Sequence, residues 1–267
     1  MRRFTSAAVA ALMAFVGMEA GLGATAQAAG EKEYVALGDS YSSGVGAGYY
    51  DTASGDCKRS QLNYPALSAA AHADYTLKDV SCSGATIADV RANQLSALSS
   101  GTDLVTLTVG GNDAQFASVV EACLTQSDSY CGTATQWMSY YAQNQLVTEL
   151  AGLYKDIKTR APQAEIVVLG YPQTVAATGS CGAIDLSSAK RTSMNKLADA
   201  LAEGTRAASV KEPVTFVDMR ATFKGHEACG SDPWINGVDL TDLTSVFHPN
   251  LAGYFNYAAA LNNVLDS

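Results

Sequence analysis

Short apolar runs that stop at or near glycine alternate along this chain with longer stretches rich in Ala, Leu, Lys and Gln. "YVALG" from Tyr34, "TLKDVSC" from Thr76, "DLVTLTVGG" from Asp103, "EIVVLGYP" from Glu165 and "VTFVDM" from Val214 read as strands. "NYPALSAAAHA", "TIADVRANQLSAL", "TQWMSYYAQNQLVTELAGLYKDIKTRA", "SSAKRTSMNKLADALAEGTRAAS" and "LAGYFNYAAALNNVL" read as helices. That rhythm specifies parallel pairing, because each strand is carried back by a helical crossover before the next begins. Near-continuous apolarity from Leu104 to Val109 and from Ile166 to Leu169 implies strands covered on both faces. The expected fold is α/β: a three-layer α/β/α sandwich around a central parallel sheet. A ligand crevice in such a fold lies beyond the carboxyl ends of the strands.

At 267 residues, 48% hydrophobic and 16% charged, the chain suits one domain with a substantial core. Its first residues combine Arg2 and Arg3, an apolar stretch and a small-residue end containing Ala26-Gln27-Ala28. This is the pattern of a removed secretory signal. The expected organisation is a signal over residues 1–28 and a single domain over residues 29–267. Glu19 and several glycines interrupt the apolar run, which argues against a spanning helix. No later segment is apolar enough to span, so a secreted, extracellular protein without a stable membrane anchor is expected. Removing the signal leaves 15 basic and 25 acidic residues, a net charge of −10. That balance argues against nucleic acid as a partner and against a basic anchor for anionic lipid. Contact with lipid would rely on apolar loops.

Cys57, Cys82, Cys123, Cys131, Cys181 and Cys229 are even in number and suit an oxidising compartment, so three disulfides are expected. About fifteen connectivities remain open from spacing alone. There is no C-x2-C pair, no H-E-x-x-H and only three histidines, so no metal and no cofactor is expected. "GVGAG" at Gly44 to Gly48 lacks the G-x-G-x-x-G spacing of a dinucleotide site. It reads as a flexible entrance loop.

Three Gly-rich strand ends share the expected crevice: "GDSYSSG", "SCSGAT" and "TVGGND". A fourth segment, "FHPNLAGY", brings His248 in just before the C-terminal helix. Together they suit acyl transfer, in which a serine needs a base for its proton and donors for the oxygen of a tetrahedral intermediate. Ser40 is the candidate nucleophile and His248 the candidate base. The Ser40 and Gly84 backbone N–H groups and the Asn112 side-chain amide are the candidate oxyanion hole. Taken singly, each piece has a plainer explanation: Ser40 as a helix cap, Gly84 and Gly110 as turn glycines, Asn112 and Asp113 as caps of the next helix. Asp113 is read as structural. His72 lies in an Ala-rich helical stretch and His226 in "FKGHEACG", neither near a nucleophile. Trp137, Tyr140 and Tyr141 read as packing residues, while Trp234 and Phe247 are candidates for a substrate wall.

In order, Gly38-Asp39-Ser40-Tyr41-Ser42, Gly84, Gly110-Gly111-Asn112-Asp113 and His248-Pro249 resemble the four blocks of the SGNH, or GDSL, hydrolase family. With its six cysteines the chain is similar in particular to secreted lipases and esterases of Streptomyces and related actinomycetes. The resemblance implies a flavodoxin-like fold and carboxylic ester hydrolysis through an acyl-Ser40 intermediate, on acyl ester or lipid substrates that include phospholipid acyl bonds. A monomer is expected. The resemblance also supports the pairing Cys57–Cys82, Cys123–Cys131 and Cys181–Cys229. The family's usual Asp three residues before the histidine is replaced here by Ser245. A Ser–His dyad is therefore expected, with the main-chain oxygen of Ser245 accepting the Nδ1–H of His248. The rival is Asp242 or Asp239 reaching the ring. Alternative functions are a polysaccharide O-deacetylase and a catalytically silent binding module on the same fold.

Overall fold

Parallel strands form the middle layer of residues 31–267, the part of the chain that this computed structural model describes. The signal reading of residues 1–28 lies outside it. In chain order the elements are β1 (Lys32–Gly38), α1 (Ser40–Ser43), α2 (Tyr64–Ala71), β2 (Tyr75–Asp79), α3 (Ile87–Asp89), β3 (Thr102–Thr108), α4 (Phe116–Thr125), α5 (Asp128–Gln143), α6 (Gln145–Arg160), β4 (Glu165–Leu169), α7 (Ser188–Lys211), β5 (Thr215–Val217), α8 (Met219–Thr222) and α9 (Leu251–Leu265). The sheet order is β2-β1-β3-β4-β5, every pair parallel. The chain thus reverses its direction of winding between β1 and β3, the place where α/β sheets open a crevice. Helices α2, α8 and α9 form one packed group, and α3, α4, α5, α6 and α7 the other. Val35, Ala36 and Leu37 of β1 and Leu104, Val105 and Leu107 of β3 are fully buried, as strands between two helical layers must be.

Two expected helices differ from their sequence reading. The stretch from Thr86 begins as α3, with a capping box between Thr86 and Asp89, then widens into a π turn over Val90–Gln94 and tightens over Leu95–Ala97. This irregular turn carries Gln94 to the end of β1, where its Oε1 accepts from Gly38 N at 2.8 Å and its Nε2 donates to Gly38 O at 2.9 Å. The long stretch to Ala161 is broken at Asn144 into α5 and α6. Asn144 Nδ2 takes the Tyr140 carbonyl, the acceptor its own backbone N–H would use in a continuous helix, and that N–H moves to Tyr141. Trp137 and Tyr140 are not packing residues as expected. They are 67% and 66% exposed, and only Tyr141 is partly covered, its hydroxyl donating to Glu149.

The disulfides join Cys57 to Cys82, Cys123 to Cys131 and Cys181 to Cys229. "GVGAG" is packed, not loose: Val45 is 1% exposed, and its carbonyl accepts from the Tyr254 hydroxyl at 2.8 Å. Among the described residues no helix is long and apolar enough to cross a membrane.

Candidate active site

At the end of β1 the backbone must turn sharply into α1, and Gly38 makes this possible. Its φ is +116°, and a Cβ there would stand 2.4 Å from Thr108 O and 2.5 Å from Ser42 Oγ, so a side chain is excluded both by strain and by contact. Asp39 then caps α1, its Oδ1 accepting from Tyr41 N at 2.9 Å. Because Asp39 supplies the cap, the Ser40 hydroxyl is not spent on capping. Ser42 Oγ accepts from Thr108 N at 2.9 Å and fastens the turn to the end of β3.

Ser40 Oγ lies 2.8 Å from His248 Nε2. The other ring nitrogen faces the Val246 carbonyl at 3.2 Å, which corrects the expectation of Ser245. The Ser245 carbonyl instead accepts the backbone N–H of His248 at 3.0 Å, so the turn leading to the histidine consumes it. With Nδ1–H donating to Val246 O, Nε2 is left unprotonated and accepts a hydrogen bond from the Ser40 hydroxyl. Desolvation lowers the His248 pKa to about 4, so the ring is neutral across the ordinary range.

Neither rival acid reaches the ring. Asp242 Oδ1 accepts from Thr244 N at 3.2 Å and Thr244 Oγ1 at 2.7 Å, and Asp239 Oδ1 accepts from Thr241 N at 2.8 Å and Thr241 Oγ1 at 2.6 Å. Both are closed into local turns. Asp242→Asn and Asp239→Asn should therefore each leave kcat within about threefold of wild type, where loss of a true triad acid costs ~10⁴. Steady-state rates on a soluble ester would show it.

The histidine segment is held from the side of α1. Tyr41 Oη donates to Phe247 O at 2.7 Å, and the Tyr41 ring lies 5.2 Å from the imidazole. Phe247 itself adopts φ +57°. Neither it nor Trp234 forms the substrate wall expected: Phe247 is fully buried, and Trp234 stacks on His226 at 3.6 Å. His72 is occupied with Ser68 O and Asp266.

Ser40, Gly84 and Asn112, which carry the three candidate donors, all line with His248 one cavity of about 650 Å³. Among the described residues neither Ser40 N–H nor Gly84 N–H is paired with an acceptor. Gly84 has φ +81°, and a Cβ there would meet open space, so the glycine serves backbone conformation and leaves the approach to its amide clear. Asn112 Nδ2 donates one hydrogen to Ala85 O at 3.0 Å, which orients the amide and leaves its second hydrogen as a donor. Asp113 is structural, as read: its carboxylate accepts from Ile87 N at 3.1 Å. Asn112→Ala should lower kcat by ~10²–10³ with KM little changed, the scale for loss of one oxyanion donor. The remaining walls are mainly apolar, from Phe116, Val120, Leu124, Ile184, Leu201 and Val238, with Glu121, Thr125, Thr174 and Thr244 among them. Leu240 and Leu243 also line the cavity while staying 61% and 65% exposed.

The GDSL-like Lipase/Acylhydrolase family matches this chain over residues 36–254, from β1 into α9. The chain belongs to that family. As a GDSL hydrolase it is 43% identical to lipase 1 of Streptomyces coelicolor over 259 residues, 95% of each protein. The lipase of Streptomyces rimosus is 44% identical over 86% of each. Among solved structures, phospholipase A1 from Streptomyces albidoflavus superposes with a TM-score of 0.83 at 41% identity, covering 87% of this chain and 99% of that one. The extracellular lipase of S. rimosus gives the same TM-score and coverage at 44% identity. This GDSL hydrolase is a carboxylic ester hydrolase of the lipase/esterase type.

Proposed function

We propose that this GDSL hydrolase is a secreted lipase in which Ser40 is the nucleophile, His248 the base, and Ser40 N–H, Gly84 N–H and Asn112 Nδ2 the oxyanion hole. His248 Nε2 takes the hydroxyl proton as Ser40 Oγ bonds to the acyl carbon, and the carbonyl oxygen gathers charge among the three donors. Collapse of the intermediate releases the alcohol, which leaves with the proton from His248. Water then repeats the sequence on the acyl-Ser40 and frees the acid. The Val246 carbonyl orients the ring throughout, and its partial negative charge favours the transient imidazolium less than a carboxylate would.

The observation that carries this reading is the 2.8 Å contact between Ser40 and His248 in the wall of a mainly apolar cavity. A cavity lined by Phe, Val, Leu and Ile side chains suits a fatty acyl chain better than the acetyl groups of a polysaccharide, which need little apolar wall. Burial of each added methylene contributes about 0.8 kcal/mol, so kcat/KM should rise by roughly fourfold per carbon until the cavity is full. A p-nitrophenyl ester series from acetate to palmitate tests it. A profile that falls steadily from acetate would favour the deacetylase. Similarity to a phospholipase A1 supports phosphatidylcholine as a second substrate, tested by fatty acid release from vesicles. The leader pattern over residues 1–28 and the three disulfides support export.

A further inference from the structure

Asp39 sits beside the nucleophile, is 1% exposed and takes no part in the chemistry just described. Its two oxygens go to different parts of the site. Oδ1 accepts from Tyr41 N within the nucleophile turn at 2.9 Å, and Oδ2 accepts from the Tyr171 hydroxyl at 2.5 Å. Tyr171 follows β4, and its phenolic oxygen in turn accepts from Gly111 N at 2.9 Å. Gly111 immediately precedes Asn112. A Cβ at position 111 would stand 3.1 Å from the phenolic oxygen, so the glycine leaves room for the tyrosine against this backbone without a shift of its ring. The phenol is buried too, at 6% exposure, and the Tyr41 ring packs edge-on against it at 5.0 Å.

We propose that Asp39 and Tyr171 are positioning residues: the carboxylate–phenol–amide relay locks the Asn112 loop to the Ser40 turn, so that donors on two separate strand ends converge on one oxygen. The inference rests on the oxyanion reading of Asn112. Three strand ends must agree to within a fraction of an ångström for such a site to stabilise charge. Backbone pairing in the sheet stops short of them, and the relay supplies a connection past the last strand residues. Its polarity is fixed. Gly111 N–H can only donate, so the phenol donates its hydrogen to Asp39, and the ionised carboxylate is the form in which every polar atom is paired. Burial raises the Asp39 pKa to about 7. It raises that of Tyr171 well above the ordinary phenol range, with the Asp39 charge adding to the shift. At pH 9 the carboxylate is ionised and the phenol still carries its proton.

A double-mutant cycle at pH 9 tests the relay. Tyr171→Phe keeps the ring and deletes the hydroxyl, and in the wild-type background it should lower kcat about tenfold, one lost charge-assisted bond's worth of alignment, with KM within twofold. In an Asn112→Ala background there is no amide left to position, and the same change should cost threefold or less. Equal losses in both backgrounds, or no loss in the wild type, would overturn the relay. If Tyr171→Phe does not fold by circular dichroism, Asp39→Asn enters the same cycle, because it keeps an acceptor for Tyr41 N while setting an NH₂ donor against the phenol. An Asn112→Ala enzyme with wild-type kcat would remove the oxyanion reading, and the relay with it. An effective Asn112→Ala with additive losses removes the relay alone.

Discussion

Ser40→Ala is expected to reduce ester hydrolysis by on the order of 10⁴–10⁶, the range seen when the attacking atom of a serine hydrolase is deleted. The loss follows from geometry. Ser40 Oγ is the hydroxyl that meets an unprotonated imidazole nitrogen at 2.8 Å, and alanine has nothing to put in its place. The fold should be untouched, because α1 is capped by Asp39 and fastened by Ser42, and alanine is a good helix former. A fluorophosphonate probe should add its mass to the wild type and leave the variant unlabelled, with superimposable circular dichroism. Retention of most of the ester activity by the variant would sink the acyl-serine mechanism.

His248→Ala should cost nearly as much, and combining it with Ser40→Ala should add little, since the pair acts as a unit. The variant also has a stability signature. The folded His248 pKa, about 4, lies below its unfolded value of ~6.5. Between those pH values the unfolded chain binds the extra proton, so this group makes wild-type stability fall as pH drops. The alanine variant lacks the site. Whatever constant offset its cavity causes, its urea midpoint should move up relative to wild type as pH falls from 7 towards 4. Asp39, pushed up to about 7, titrates in the same window but is present in both proteins and drops out of the comparison. A midpoint difference independent of pH would show that the imidazole is not held desolvated and neutral.

Sheet, crevice and the four blocks were legible because each is local. A strand reads from its own apolar run; Gly38 closes β1, and Gly84 and Asn112 come within five residues of the ends of β2 and β3. What escaped depends on contacts between distant segments. The break at Asn144 comes from one side chain competing with its own backbone, a contest that composition does not display. Phe247 and Trp234 looked like wall residues by being aromatic near His248, but the hydrophobic effect drew them inward, and Leu240 and Leu243 were left at the cavity. Ser245 and Val246 are neighbours in a turn, where spacing along the chain says little about which carbonyl points at a ring. Tyr171 gave one usable signal: it stands just past β4, at the same edge of the sheet as the other blocks.

The disulfides pair the first cysteine with the second, the third with the fourth and the fifth with the sixth, across 25, 8 and 48 residues. Such an order suits a chain that meets its oxidant progressively from the amino end. Whenever a new cysteine emerges to complete a pair, the only earlier thiol still unpaired is its native partner. Correct bonding then follows from order of arrival, without scrambling and repair. A host that oxidises chains during export should yield active enzyme without added isomerase, whereas refolding of the full-length reduced chain, with all six thiols present at once, has to search among about fifteen fully paired arrangements.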